Sequence, residues 1–210
     1  MATWDSFLLS TTSDLTTEFS GLYQLVHETD LSDNDTDKVL YLGSLTSNRQ
    51  LQTTTNPGVD DITLDIVDQL TNWTTGTAVT IGDSYQPSAG NENGFRYVAQ
   101  NSGTTDGSTE PTWPTSGIGS TVVDNDITWE FVGAKHEETE IKLATTNAGL
   151  DSATAGVSLA LGNTIDSGVG NLVEIHIRIT NAVTVVSNNA GSPELGLSFN
   201  DCTETAVVPS

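Results

Sequence analysis

The chain has 210 residues, with six lysines and arginines against 28 aspartates and glutamates and a formal net charge of −22. The cations (Lys38, Arg49, Arg96, Lys135, Lys142, Arg178) are scattered, so no basic patch exists to track a phosphate backbone, which speaks against direct nucleic-acid binding. The single cysteine, Cys202, excludes an intrachain disulfide, and no apolar run is long enough to span a bilayer, so no membrane partner is expected.

This length accommodates one or two domains, each with its own core. Threonine, serine, asparagine, aspartate and glycine are abundant, which favours short strands and polar turns over helices. The acidity serves solubility or a saline medium, or it suits the outside of a particle, away from nucleic acid. The opening MATWDSFLLSTTSDL has no basic n-region or apolar run, so synthesis and folding in a cytoplasm are expected.

Residues 1–36 read as an N-terminal arm. Leu15, Phe19, Leu22 and Leu25 have helical spacing, with Ser13 or Asp14 as a cap, while the threonines favour extended chain. The arm either docks on a neighbouring subunit or packs on its own domain. Asp33, Asp35 and Asp37 carry the first half of a calcium-loop spacing. Lys38 and Ser44 stand where that loop needs glycine and glutamate, so a solvated acidic turn is expected and no metal.

Strands follow at Lys38–Gly43 and over 62–67, where Ile62, Leu64 and Ile66 alternate with polar neighbours around the Asn56-Pro57-Gly58 turn. Residues 70–134 change texture. Trp73, Trp113 and Trp129 lie here with Tyr85, Tyr97, Phe95 and Phe131, and the glycines and prolines fall between them. Strands are expected at 95–99 and 127–133, with turns at Gly82-Asp83, Asn91–Gly94 and Asp124–Asp126. Pro111 and Pro114 hold Trp113 in extended backbone. Beyond the segment, strands are expected at 141–144, 157–162, 183–186 and 195–199. The clearest covers 172–179, with Val173, Ile175, Ile177 and Ile179 opposite Glu174, His176 and Arg178.

The flanks resemble one another in composition and differ from the middle. The expected fold is therefore all-β: a β-sandwich, Ig-like or jelly-roll-like, built from 37–69 and 135–210, interrupted by a small inserted antiparallel β module at 70–134.

Chemistry is sparse. His27, His136 and His176 are far apart without metal-ligand spacing, and no nucleophile elbow, phosphate loop or zinc-protease helix occurs. The many carboxylates would supply a glycosidase pair by chance alone. No enzyme and no cofactor are expected. Trp73, Trp129 and Tyr97 read as core of the module. Trp113 and Tyr85 read as loop residues whose rings are the candidate binding residues, for a sugar face or a neighbouring subunit's pocket.

Tyr85, Gly94-Phe95-Arg96-Tyr97-Val98-Ala99, Ser102-Gly103, Glu110-Pro111-Thr112-Trp113-Pro114 and Val122-Val123-Asp124-Asn125-Asp126-Ile127-Thr128-Trp129 together resemble a small module recurrent in virion structural proteins of tailed bacteriophages. Asn125 stands where that pattern usually has glycine, and asparagine also tolerates positive φ. The resemblance covers about a third of the chain and implies a virion role. The expectation is a capsid decoration or cement protein on the outer surface, homo-oligomeric and bound to the major capsid protein or other virion proteins. A tail or baseplate component, or a carbohydrate-binding module for host glycans, is the alternative.

Overall fold

The computed structural model describes residues 4–21, 35–181 and 193–207, so the readings placed on 22–26, His27, Asp33 and 183–186 lie outside the described residues. The fold is all-β. Four strands precede residue 70: β1 (Leu8–Ser10), β2 (Asp35–Gly43), β3 (Arg49–Thr53) and β4 (Thr63–Asp68). The middle segment holds β5 (Thr71–Asn72), β6 (Ala78–Val79), β7 (Ser84–Gln86), β8 (Phe95–Ala99), β9 (Gly103–Thr104), β10 (Thr121–Asp124) and β11 (Ile127–Ala134). After it come β12 (Ile141–Ala144), β13 (Leu159–Ala160), β14 (Thr164–Asp166), β15 (Val173–Thr180), β16 (Leu195–Phe199) and β17 (Cys202–Ala206).

One antiparallel sheet has the order β1-β2-β15-β12. Its alternation is the one the sequence predicts: Ile175 and Ile177 of β15 and Leu40 and Leu42 of β2 are buried, and Arg178 turns outward to pair with Asp37. Each such apolar side chain withdrawn from water contributes about 1.5–3 kcal/mol.

The other layer is a ribbon of three legs. Its central leg, β3 then β4, pairs with β14 and β13 on one side and with β17 and β16 on the other. Residues 54–62 leave the central leg as a loop, and Thr54 N–H to the Asp201 carbonyl (2.9 Å) and Ile62 N–H to the Gly162 carbonyl (2.8 Å) hold its two ends. Leu51, Leu64 and Ile165 of the ribbon join Leu40, Leu42 and Ile177 of the sheet in one apolar cluster, a sandwich-like arrangement.

Residues 4–21 pack on this core rather than projecting from it. Phe7 and Leu9 are in the same cluster, Trp4 meets Phe199 edge-on at 5.2 Å, and β1 closes the edge of β2. Of the two readings of this stretch, helix or extended chain, a helix does not begin at Leu15. Leu15 is buried with φ +56, and Asp14 accepts the Thr16 N–H (3.1 Å), so the chain turns. The acidic turn expected near Asp35 and Asp37 is instead the start of β2. Asp37 accepts from Nε and Nη2 of Arg178 at 2.8 Å each, Asp151 accepts from Nη1 at 2.9 Å, and Asp35 accepts from Thr180 at 2.6 Å.

Segment 70–134 forms a sheet of order β10-β11-β8-β7-β5, antiparallel except for β5 beside β7, plus a small β6–β9 ladder. Asn125 has φ +50 in the β10–β11 turn, as its tolerance of that region allows. A bulge between Phe131 and Gly133 shifts the register of β11 on β8. The buried aromatic cluster of this segment shares no member with the first one.

Candidate contact site around Trp113

Two carboxylates organise the aromatic segment. Asp124 ends β10, 3% exposed, where its Oδ2 accepts the indole N–H of Trp73 at 2.7 Å and that of Trp129 at 3.1 Å. Its Oδ1 accepts the backbone N–H of Asp106 at 2.8 Å, which ties loop 105–120 to the sheet. A buried charge is tolerated where several donors converge on it.

Glu110 does the same work at the surface. Its carboxylate accepts from Ser88 N–H (2.8 Å), the Ser88 hydroxyl (2.6 Å), Asn91 Nδ2 (3.1 Å) and Trp113 Nε1 (2.8 Å). Partial burial pushes its pKa upward, and these donors outweigh burial, so the group sits below the usual glutamate range. Loop 87–94 and loop 105–120 are thereby fastened to each other.

Trp113 lies over the cluster, half-buried. Its ring stacks on Tyr97 at 4.4 Å with a 37° tilt and meets Trp129 at 5.7 Å. The Tyr97 hydroxyl donates to the Pro114 carbonyl at 2.8 Å and accepts from Asn93 at 2.9 Å, fixing the backbone beside the indole. Trp113 is therefore a lid on the core with part of its ring in solvent.

Tyr85 requires a correction. It is not a loop residue: it lies on β7, is 5% exposed and packs at 4.9 Å on Trp129. Burial raises its pKa, and its ring is not offered to a ligand. Trp73, Trp129 and Tyr97 are buried in the same cluster.

A second polar constellation joins this segment to the flanking sandwich. Arg96 of β8 is buried, with Nε 3.0 Å from Glu194, and the other Glu194 oxygen accepts the His136 N–H at 2.8 Å. His136 Nδ1 lies 2.7 Å from Glu140, a bond that raises the histidine pKa against the opposing effect of burial. Lys135 Nζ sits 2.8 Å from Asp68 and 3.4 Å from Glu137. These are structural ion pairs at the neck of the segment. Composition could not reveal them, because Glu194 approaches from the far end of the chain.

His176 sits on the outer face of β15 with Nε2 3.0 Å from Glu174. Among the described residues no group of three or more His, Cys, Asp or Glu is placed to hold a metal ion. No described helix is long and apolar enough to cross a membrane. Compared with protein-family models, curated proteins and solved structures, the chain matches none.

Proposed function

We propose that the chain is a non-enzymatic structural protein of a tailed-phage virion: a decoration or cement protein on the outer capsid surface, present in multiple copies and bound to the major capsid protein or its neighbours. The observation that carries this reading is where the recurrent motif residues go. Tyr85, Tyr97, Trp113, Asp124 and Trp129 converge on one hydrogen-bonded aromatic core, so the motif specifies a scaffold and not a reaction centre. The two carboxylates within that core and its lid, Asp124 and Glu110, are occupied as acceptors for indoles and loop donors. A net charge of −22 favours an outward position, away from packaged nucleic acid.

The experiment is localisation on intact particles with a labelled antibody fragment. Label on the outer shell supports decoration, label on the tail or baseplate selects that alternative, and label inside the shell overturns the outward placement. The partly exposed Trp113 indole favours a second reading, recognition of host glycans. A glycan array with the wild type and Trp113→Ala decides it: specific binding lost in the variant supports recognition, and silence across the array removes it.

A further inference from the structure

Strand β10 is an outer strand of the aromatic segment's sheet, with no further strand paired beyond it among the described residues. Residues 122 and 124 face β11 through the register Val122↔Trp129 and Asp124↔Ile127, continued by the Phe131 N–H to the Ser120 carbonyl at 2.8 Å. By the antiparallel alternation, the N–H and C=O of Thr121 and Val123 point away from the sheet. Val123 is 68% exposed and Ile118 39% exposed, so apolar side chains accompany those open backbone groups. Some other outer strands carry an additional contact. Phe19 N–H bonds the Leu9 carbonyl beside β1, Gly156 N–H bonds the Ile141 carbonyl beside β12, and Glu204 of β17 receives Ser6.

The charge around this edge is one-sided. Arg96 is the only lysine or arginine between residues 70 and 134, and it is buried against Glu194. Asp106, Asp126 and Glu130 lie in the same segment as the edge, which therefore offers a docking strand no exposed cation. A second acidic copy would meet like charge here, whereas a basic strand would meet opposite charge.

We infer that β10 is a strand-docking edge that takes an extended, lysine- or arginine-bearing segment of a partner protein by β-augmentation. Main-chain bonds to Thr121 and Val123 hold the strand, Val123 and Ile118 pack its apolar residues, and the acidic surroundings select its charge. The inference goes beyond the virion reading and does not depend on it.

The test uses the full chain and a labelled synthetic peptide of alternating lysine and valine, followed by fluorescence anisotropy at low ionic strength. Two control peptides accompany it, one with glutamate in place of lysine and one with N-methylated backbone amides. Val123→Pro removes an outward N–H while leaving the β10–β11 bonds in place. Saturable binding of the lysine peptide, weakened about tenfold or more by Val123→Pro and by N-methylation, supports the inference. No saturable binding, or equal binding by the variant or the N-methylated peptide, overturns it. If near-ultraviolet dichroism shows that Val123→Pro disturbs the tryptophan cluster, Val123→Lys replaces it and is expected to weaken binding by charge. Sedimentation of the protein alone supplies a further arm: a dimer that Val123→Lys dissolves would assign the edge to a second copy and overturn the basic-partner inference.

Discussion

Trp73 and Trp129 donate their indole N–H groups to the same oxygen, Oδ2 of Asp124, from 51 and 5 residues away in sequence. Asp124→Ala leaves both indoles and the Asp106 N–H without an acceptor in a buried site. The expected loss is about 3–5 kcal/mol, the range for breaking a buried charge-assisted network. Asp124→Asn keeps an acceptor oxygen but places an amide among donors, and about half that loss is expected. Urea unfolding followed by tryptophan fluorescence measures both. A change below about 0.5 kcal/mol for Asp124→Ala would show that the shared carboxylate is not a stabilising node.

Trp113 can be divided into its ring and its hydrogen bond. Trp113→Phe retains a ring over Tyr97 and drops the bond to Glu110, with an expected loss of about 1 kcal/mol. Trp113→Ala also uncovers Tyr97 and Trp129, and about 2–4 kcal/mol is expected for a half-buried indole. Chemical denaturation of the two variants side by side separates the contributions.

His136 makes the neck pH-dependent in a defined direction. The hydrogen bond to Glu140 raises its folded pKa above the unfolded value of about 6.5. Its stabilisation is therefore complete below the unfolded value and is lost as pH rises through the folded one. Repulsion among the acidic groups also varies with pH, so the informative quantity is wild type minus His136→Gln. That difference should shrink as pH rises above the unfolded value of about 6.5, as measured by denaturation midpoints across the range. A constant difference would place the histidine's contribution in packing.

Glu204 holds the N-terminal segment. Burial raises its pKa, but the Ser6 hydroxyl and the Ser6 and Phe7 amides outweigh burial and leave the carboxyl below its ordinary range. This stabilisation is present above the unfolded pKa and is lost as pH falls through the folded one. Glu204→Gln is expected to speed hydrogen exchange at residues 6–10 by about tenfold, the equivalent of one charged hydrogen bond, with the β3–β4 amides unchanged. Uniform acceleration across the chain would instead indicate global destabilisation.

The strands legible in the sequence are short runs rich in apolar residues beside turn signals: 95–99, 141–144 and 195–199 match β8, β12 and β16 residue for residue. The ribbon's β3, β14 and β17 left no such trace. Gln50, Gln52 and the threonines of β17 give no apolar period, and Leu51 and Ile165 alone mark the buried side. Pairing among distant polar segments fixes these strands, and a single sequence does not display it. Tyr85 reads as a loop residue in the sequence because β7 is three residues long between Gly82 and Pro87, so turn signals outnumber the strand signal. Asp124 was legible only as a turn residue, since its second role exists once two indoles have converged on it. Glu110 and Trp113, three residues apart, belong to one motif, but their mutual bond exists only once the loop is folded.

The ion pair between Asp68 and Lys135 has a mechanical meaning. It spans the two points where the chain enters and leaves segment 70–134, so that segment hangs from the sandwich as a closed side branch. Tension applied between β1 and β17 runs through β2, β3 and their partners, the strands that share the first core. The aromatic segment lies off that line of force. Load passed between the flanking strands would bypass the branch, so Trp113 and the β10 edge would keep their shape.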